Sequence, residues 1–391
     1  MRIFRARFGI VYVMTTTKRR FSDLISPVTR EKFISDYCGK AHLYVAGNDN
    51  KFEGVASWDV INDLLADSTL WSGRLLTLAK QGPTLDPKTY CVVETDRDGH
   101  VIQRPVPELI HKHLEDGATL VLNHADTLTP ELSGISGCLQ LQFRAQVKCN
   151  IYCSWQASQG FATHFDGTDV FVFQIAGRKF WNLYEGFYKN PLSGSPYVFK
   201  LGAEENERLK GDCIEKVELT PGDFLYIPRG QYHDAIASSE ASLHLTFGIV
   251  PLVGVNVFDM IKAQLEQDPL FNKPLPHYDQ QGALKTHLAI LGKRLEEIIS
   301  GCEAKQMVRN HQKNAAFQES FPSYDMPFTG RVSTFKVEDV NTLMGDDTLM
   351  QDWLLGRDWF TDSEFAKAFP DRDINDELRT LIKLCAIEQI G

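Results

Sequence analysis

The sequence predicts an α+β chain centred on an antiparallel barrel or double-sheet jelly roll. Between residues 89 and 250, short apolar runs are separated by glycine, proline, aspartate and asparagine, a pattern typical of strands and turns. The segments on either side, 21–88 and 251–391, contain helical patterns instead. Many short strands without long helices between them favour a closed antiparallel core.

The chain begins with "MRIFRARFGIVYVMTTTKRR", residues 1–20. Its apolar stretch, from Phe8 to Met14, is short and lacks a small-residue cleavage site, so we do not expect secretion. Translation could begin at Met1 or at Met14. We therefore expect residues 1–20 to be an arm without fixed structure.

Residues 21–250 are expected to form one domain. Its lead-in holds two helical segments, "TREKFISDYC" and "SWDVINDLLA", which open with Thr29 and Ser57, residue types that cap helix N-termini. Strand-forming segments follow: "TYCVVET", "ATLVLN", "CLQLQFRAQVKCNIYCSW", "DVFVFQIAG", "KFWNLYE", "KVELTPGDFLYIP" and "SLHLTFGIV".

Residues 251–315 are expected to be helical. From Gln280 to about Gln312 the pattern predicts one long helix with apolar residues at alternating spacings of four and three. This stripe consists of Leu284, Leu288, Leu291, Leu295, Ile298 and Cys302. Such a stripe packs within its own domain or forms a dimer interface, and the spacing alone leaves both open.

Residues 316–391 are expected to form a polar linker and a winged-helix-like module of short helices and a hairpin. Thr361 and Glu364 have the spacing of a capping box. Residues 331–391 contain seven lysines and arginines against thirteen aspartates and glutamates. Because DNA binding depends on cationic contacts to phosphates, we expect no direct DNA binding.

The composition narrows the class of protein. A formal net charge of −10 disfavours a broad nucleic-acid surface and suits a basic protein partner. The eight cysteines contain no Cys-x-x-Cys pair, and we interpret them as reduced thiols of a cytoplasmic protein. No stretch approaches the ~20 apolar residues of a membrane span, so no membrane partner is expected.

Four His-x-acid pairs occur in the chain, whereas roughly one or two would arise by chance from its composition. They are His113/Glu115, His124/Asp126, His164/Asp166 and His277/Asp279. The pair alone therefore proves little. We interpret three of the four as surface or hydrogen-bonded residues, because only the third is followed by a strand, a turn and another strand.

His164 and Asp166 form a candidate metal site. Side chains at i and i+2 of a strand share a face, so both can address one metal. A third ligand should come from a neighbouring strand, and "PGDFLYIPRGQYHDAIA" supplies His233 after such a turn and strand. Two imidazoles and one carboxylate form the facial triad of non-haem Fe(II) sites, which leaves three coordination positions open.

Two blocks of sequence around these residues resemble a known family. "NIYCSWQASQGFATHFDGTDVFVFQIAGRKFWNLY" and "GDFLYIPRGQYHDA" with "SLHLTFG" resemble the JmjC ribosomal oxygenases, which have a cupin fold, or double-stranded β-helix. Those enzymes are iron(II)- and 2-oxoglutarate-dependent hydroxylases of ribosomal proteins. Their order of catalytic domain, helical dimerisation region and winged helix is similar to the order 21–250, 251–315 and 316–391.

The resemblance implies roles for individual residues. It makes His164, Asp166 and His233 the iron ligands, and it places the cation for the distal carboxylate of 2-oxoglutarate at Lys179 in "AGRKFW". A lysine suits this role as a point charge, although Arg178 beside it is the natural rival. Strand alternation puts Lys179 and Arg178 on opposite faces, so only one of them can reach the cosubstrate, but it does not say which face points inward.

Three further residues are implied near the cosubstrate. The resemblance places Asn150 and Tyr152 in the cosubstrate and substrate pocket and makes Thr246 a hydroxyl partner of 2-oxoglutarate, with core packing as the alternative for each. The sequence departs from the family in "CSWQASQG", which lacks a Thr-Pro pair beside the substrate channel. This departure puts the identity of the substrate in doubt.

The resemblance as a whole implies an oxidoreductase of the dioxygenase class that uses Fe(II), 2-oxoglutarate and O2. The expected substrate is an arginine or histidine side chain of a ribosomal or other protein, and the expected assembly is a homodimer. Two alternatives remain: a hydroxylase of a biosynthetic peptide or small molecule, and a non-catalytic cupin that acts as a binding or scaffold protein.

Overall fold

The computed structural model describes residues 2–5, 11–14, 19–67, 70–82, 84–95, 97–155, 160–195, 201–238, 241–315, 333–338, 340, 348–384 and 386–389. These residues belong to two compact units, which meet along the chain at Pro251 and Leu252. The first unit contains the strand-rich part of the chain, and the second contains the helices and short strands that follow it.

The first unit contains fourteen described strands. Their bounds are β1 Arg2–Arg5, β2 Val11–Met14, β3 Leu43–Val45, β4 Leu76–Ala79, β5 Cys91–Thr95, β6 Val101–Pro105, β7 Thr119–Leu122, β8 Gln146–Ser154, β9 Asp169–Ala176, β10 Lys179–Phe187, β11 Cys213–Leu219, β12 Phe224–Ile227, β13 Gln231–Ala237 and β14 Ser242–Val250.

The helices of this unit precede or interrupt the strands. They are α1 Phe21–Ile25, α2 Arg30–Lys32, which continues into a π-turn over Phe33–Tyr37, α3 Trp58–Ala66, α4 Pro107–Glu115, α5 Pro130–Phe143 and α6 Ala203–Leu209. Thr29 caps α2 by accepting from the backbone N–H of Lys32, and Ser57 caps α3 by accepting from that of Val60. The capping roles expected for these two residues are confirmed.

Two antiparallel sheets form the barrel that was expected for the core. The large sheet has the order β3-β12-β9-β14-β8-β7-β4, and the small sheet has the order β11-β10-β13. Their inner faces contribute to one buried cluster, with β9 and β12 on one side and β10 and β11 on the other. The non-sequential strand order is that of a jelly roll, in which residues distant in the chain become neighbours.

The outer face of the large sheet packs against the helices. Phe33, which is fully buried, contacts the ring of Phe171 on β9, and it also contacts Phe21 and Tyr226. Alternate residues of β9 therefore enter two separate hydrophobic clusters, one inside the barrel and one beneath the helices. This double burial explains why β9 is an almost continuous apolar run.

One strand assignment made from the sequence is wrong. "CLQLQF", residues 138–143, is the last part of α5, a helix that begins after the capping residue Thr129. Its apolar alternation suggested a strand, but the buried residues of the whole helix recur with helical spacing, at Leu132, Ile135, Ser136 and Leu139. The expectation that no long helix interrupts the strands is therefore also wrong.

Two other expectations differ from the structure. The helix expected over 280–312 is divided at Gly301 into α8 Gln281–Ser300 and α9 Cys302–Ala315, so Cys302 does not continue the apolar stripe of α8. In residues 1–20, where an arm without fixed structure was expected, β1 and β2 pair as an antiparallel hairpin.

The second unit has a core of its own. It contains α7 Gly254–Gln267, α8, α9, β15 Thr334–Val337, α10 Thr348–Leu355, β16 Trp359–Thr361, α11 Asp362–Ala368, α12 Ile374–Lys383 and β17 Ile387–Gln389. The three strands form a sheet in the order β16-β15-β17, and Trp353 and Phe365 pack against Phe360 of β16. Among the described helices of both units, none is long and apolar enough to cross a membrane.

Candidate metal centre

The pairing of His164 with His233 creates the centre of the candidate site. The backbone N–H of His164 donates to the carbonyl of His233 at 3.0 Å, and that of His233 donates back to His164 at 2.8 Å. This isolated bridge attaches the segment before β9 to β13. Directly opposed residues of antiparallel segments lie close together, so the two imidazoles become neighbours, with ring centroids 4.6 Å apart.

Hydrogen bonds to the backbone determine which imidazole nitrogens are free. Nδ1 of His164 lies 2.8 Å from the carbonyl oxygen of Ala162, and Nδ1 of His233 lies 2.9 Å from that of Gln231. A carbonyl oxygen only accepts, so both Nδ1 atoms must carry the proton. Each Nε2 is therefore left with a free lone pair, which is the form in which histidine binds a metal.

Asp166 completes the cluster because it lies two residues after His164 and its side chain can share the same face. Its backbone carbonyl accepts from the N–H of Gly230, and its carboxylate lies 3.4 Å from Nε2 of His233. Gly230 has a φ of +94°, and a Cβ there would lie 2.1 Å from the carbonyl oxygen of Tyr188. Glycine is thus required at the turn that holds Asp166 against β13.

The three side chains influence one another's charge. Burial and the charge of His233 lower the pKa of His164. Burial alone would lower the pKa of His233, but its hydrogen bond to Asp166 outweighs this effect and raises it. Burial would raise the pKa of Asp166, but this side chain is 37% exposed and the attraction of the two histidines lowers its pKa.

The donor set of this cluster suits a transition metal. One ligand atom from each of His164, Asp166 and His233 lies within 4.8 Å of the others. The three residues come from two adjacent segments, so they occupy one side of a bound ion. Two neutral imidazole nitrogens and one carboxylate fit a divalent iron, manganese, cobalt or nickel ion with open positions. The residues expected from the sequence to form the site are brought together.

Lys179 lies inside the barrel behind this cluster. It begins β10 and is 6% exposed, whereas Arg178 is on the outer surface and pairs with Glu218 at 3.2 Å. Nζ of Lys179 donates to Oγ of Ser154 at 3.3 Å, and it forms no ion pair with a carboxylate of the described residues. Burial lowers the pKa of this amine to about 7. An anion within the barrel would offset the cost of burying the charge.

Aromatic rings connect the lysine with the metal ligands. Tyr152 lies 5.9 Å from Nζ of Lys179 and stacks on His244, with centroids 4.7 Å apart. Trp181 lies against the rings of both His244 and His233, at 5.8 and 5.9 Å. We call Trp181, His244 and Tyr152 the ring wall. It lines the barrel from the candidate metal position to the buried amine.

Two ring nitrogens of this wall have no partner. Nε1 of Trp181 and Nδ1 of His244 are buried and make no hydrogen bond to the described residues. Buried polar groups are normally paired, so unpartnered nitrogens beside a buried amine indicate a polar ligand. Together with Lys179, they fit an elongated anion that reaches from the metal into the barrel, as a dicarboxylate such as 2-oxoglutarate would.

Asn150, Tyr152 and Thr246 lie on the inner face of the large sheet. In the register of β8 and β14, Asn150 faces Thr246 and Tyr152 faces His244. Oδ1 of Asn150 accepts from the backbone N–H of His124 at 3.3 Å. Burial raises the pKa of Tyr152 to about 12, so its hydroxyl stays protonated at neutral pH. All three residues are half-buried and share the face on which the ring wall lies.

Sequence reasoning missed Asp234, which supports the metal cluster. Its buried carboxylate accepts hydrogen bonds from Thr163 at 2.8 Å, Asn182 at 2.7 Å and Tyr184 at 2.6 Å. Thr163 and Asp234 adjoin His164 and His233 in the chain, so this bond holds the two ligand segments together. Asp234 is adjacent to a candidate ligand in "QYHDA", but the sequence contains no signal for its three partners.

The other His-x-acid pairs do not form comparable clusters within the described residues. His277 and Asp279 form an exposed ion pair at 2.7 Å. Asp126 is buried and accepts from the backbone N–H of Cys149, which is a structural role. The loop departure in "CSWQASQG" falls mainly on residues 156–159, which lie outside the described residues.

Comparisons with known proteins agree with this geometry. A family model described as the JmjC domain matches residues 127–256. The bifunctional lysine-specific demethylase and histidyl-hydroxylase NO66 of Dictyostelium discoideum is 30% identical over 226 residues, 57% of this chain and 41% of that protein. The protein of the same name from Drosophila persimilis is 27% identical over 278 residues, 66% of this chain and 36% of that protein.

Residues 127–256 of the chain therefore form a JmjC domain. The chain spans less than half the length of these curated relatives. Among solved structures, the ribosomal oxygenase YcfD from Escherichia coli is similar, with a TM-score of 0.54 and 16% identity over 93% of this chain and 99% of that one. The same neighbour has been solved in complex with cobalt and 2-oxoglutarate. At 16% identity, this similarity shows that the two proteins share a fold.

The metal assignment can be tested by comparing substitutions in two of the His-x-acid pairs, His164/Asp166 and His277/Asp279. We expect His164→Ala to weaken Mn(II) binding by at least about a hundredfold, because losing a ligand should cost more than losing a partner of a ligand. His277→Ala, in the exposed pair, should bind Mn(II) like the wild type. Titration followed by electron paramagnetic resonance measures both, and equal affinities of the two variants would contradict the assignment.

Proposed function

We propose that this chain is an Fe(II)- and 2-oxoglutarate-dependent dioxygenase that hydroxylates an arginine or histidine side chain of a ribosomal or other protein. The observation that carries the proposal is the cluster of His164, Asp166 and His233 with the buried Lys179 behind it, which pairs with no carboxylate of the described residues. Burying an ammonium group without a counter-charge is unfavourable, so the buried lysine favours a site that binds an anion. Next to a cluster of metal ligands, such a site suits a dicarboxylate cosubstrate.

The residues divide the work of binding between metal and cosubstrate. His164, Asp166 and His233 would hold iron, and the bonds from Nδ1 of each histidine to a backbone carbonyl fix the imidazoles in the metal-binding tautomer. Lys179 would neutralise the distal carboxylate of 2-oxoglutarate. Asn150, Tyr152 and Thr246 lie on the neighbouring inner face, where their amide and hydroxyl groups can contact cosubstrate or substrate.

Iron, 2-oxoglutarate and O2 together supply the oxidising power for hydroxylation of an unactivated carbon. The residues of the chain position the metal ligands and the cosubstrate and set the polarity around them. The ring wall excludes water from the inner end of the pocket, so the charge of Lys179 acts at low dielectric. Tyr152 stays neutral and can donate a hydrogen bond without releasing a proton. Asp234 keeps the two ligand segments in register.

A basic protein substrate agrees with the charge of the chain. The net charge of −10 favours the approach of a cationic partner through long-range attraction. The NO66 relatives are described as histidyl-hydroxylases and the bacterial neighbour as a ribosomal oxygenase. These descriptions support a histidine of a ribosomal protein as the first substrate to test, and arginine follows as the second.

The activity is tested with purified chain, Fe(II), 2-oxoglutarate and O2. We expect succinate to form, and mass spectrometry of ribosomal proteins from cells with and without the gene should find one protein that gains the mass of one oxygen only when the gene is present. Asp166→Ala should abolish both signals, because it removes a metal ligand. Succinate formation by wild type and Asp166→Ala at equal rates would sink the proposal.

The Lys179 assignment predicts a pH dependence. Burial lowers the pKa of Lys179 to about 7, so much of the amine is neutral above pH 7, and a bound carboxylate would raise that pKa. Binding then takes up a proton, so affinity for 2-oxoglutarate should fall from pH 7 to pH 9, by at most about tenfold per unit.

Variants separate this effect from other titrations. Lys179→Arg keeps its charge at all these pH values, so its binding curve should be flatter, while Lys179→Ala should bind weakly throughout. Arg178→Ala, on the outer surface, serves as the control and should resemble the wild type. Calorimetric titration of the Mn(II)-loaded protein measures each affinity. A larger loss in Arg178→Ala would assign the cation to Arg178 instead.

We further propose that 251–315 is a dimerisation region. The apolar stripe of α8 is incompletely covered: Leu288 is 51% exposed, and Leu284, Leu291, Leu295 and Ile298 are half-buried. Sedimentation of the full chain should show a homodimer, which Leu288→Glu should shift toward monomer because it places a charge on this surface. Lys293→Glu, at an exposed position of α8, should remain dimeric. A monomeric wild type would contradict the proposal.

Two further proposals concern the C-terminal module and the location of the protein. The three-stranded sheet with α10, α11 and α12 around one core supports a winged-helix-like module in 316–391, which an experimental structure of the chain tests. The seven cysteines in the described residues are all free thiols, which supports a cytoplasmic location. Fractionation of cells that carry a tagged chain tests the location.

A further inference from the structure

Trp181 has a buried nitrogen for which the described part of the chain offers no partner. The side chain is 6% exposed, and its Nε1 makes no hydrogen bond. An indole N–H can only donate, so no change of tautomer or rotation of a proton satisfies it. A buried donor left unpaired is unfavourable and needs an explanation.

Elsewhere in the same unit, a buried tryptophan is paired. Trp71 is 4% exposed, and its Nε1 donates to the carbonyl oxygen of Leu64 at 2.7 Å. The fold therefore supplies a partner to a tryptophan whose role is structural. Trp181 differs because it packs in the cluster inside the barrel and its nitrogen has no partner there among the described residues.

The position of Trp181 along β10 lies between the two ends of the proposed cosubstrate pocket. Lys179 precedes it by two residues, and Leu183, which pairs with His233, follows it by two. Successive residues of a strand advance by about 3.3 Å, so Trp181 lies about 7 Å from each along the strand. All three side chains are buried on the inner face of the barrel.

His244 strengthens the argument, because a second unpartnered nitrogen lies against the indole. Its ring meets that of Trp181 edge to face at 5.8 Å, and its Nδ1 is also buried without a partner. Two such nitrogens on touching rings, with a buried amine nearby, indicate one ligand that satisfies all of them. The ligand must accept hydrogen bonds and carry negative charge.

We propose that the indole N–H of Trp181 donates a hydrogen bond to a carboxylate oxygen of 2-oxoglutarate. The inference rests on the proposed function and extends it, since it makes Trp181 a cosubstrate-binding residue in addition to Lys179. The ring wall then recognises the cosubstrate directly and is more than an apolar lining of the pocket.

The wild-type chain provides a direct test. In protein loaded with diamagnetic Zn(II) and labelled with 15N in its six tryptophans, the indole N–H resonance of Trp181 is identified by its absence from Trp181→Phe. Adding 2-oxoglutarate should move this resonance downfield, because the N–H gains an acceptor, and should leave that of Trp71 in place. An unmoved Trp181 resonance, or equal movement of both, would overturn the inference.

Affinities of two matched variants provide a second test. Trp181→Phe in Mn(II)-loaded protein should bind 2-oxoglutarate about tenfold more weakly, the expected loss for one hydrogen bond to a charged group. Its Mn(II) affinity should be unchanged. Trp71→Phe should bind 2-oxoglutarate like the wild type but unfold at a lower temperature, since it loses a bond within the protein.

The outcomes distinguish this inference from the proposed function. If the wild type binds 2-oxoglutarate and Trp181→Phe binds it equally well, the inference is wrong and the proposed function stands. The inference is also wrong if Trp181→Phe weakens Mn(II) binding alone, because the indole would then act through its contact with His233. If the wild type binds no 2-oxoglutarate, both the inference and the proposed function are wrong.

Discussion

The backbone bridge between His164 and His233 is the constraint on which the site depends. Two N–H···O bonds of 3.0 and 2.8 Å join residues that are 69 positions apart in the sequence, and they place the two imidazoles on the same side of the strand pair. Asp166 then follows from strand periodicity alone, since it lies two residues beyond His164. The Thr163–Asp234 bond and the glycine turn at Gly230 keep the two segments together.

The interior of the barrel is divided between packing and binding. Near β11 and β12 it is filled by valine, leucine and isoleucine, as in a hydrophobic core. Along β8, β10 and β14 it contains Lys179, Trp181 and His244, whose polar atoms the protein leaves partly unsatisfied. Burying these groups costs stability, and the cost is offset only when an anion is bound. Beside the metal ligands, these unmet polar groups favour a bound ligand on this face of the barrel.

Electrostatic conditions differ at the two ends of this pocket. At the outer end, Asp166 remains partly exposed and its attraction to His233 keeps the carboxylate ionised. At the inner end, burial lowers the pKa of Lys179 to about 7, and the pKa of His244 also lies well below its usual value. One carboxylate of a dicarboxylate would therefore bind a metal at the outer end, and the other would lie beside the amine of Lys179 at the inner end.

The sequence was enough to predict the strand-rich core, the shared face of His164 and Asp166, and the opposite faces of Arg178 and Lys179, because these follow from local periodicity. It could not distinguish the strand-like "CLQLQF" from the end of α5, since its apolar alternation fits a strand while its burial has helical spacing. The sequence also predicted that His233 joins His164 and Asp166, but the tertiary structure alone showed how closely these ligands approach and that Trp181, His244 and Asp234 surround them. Strand pairing joins residues far apart in the chain, and no local pattern records that register.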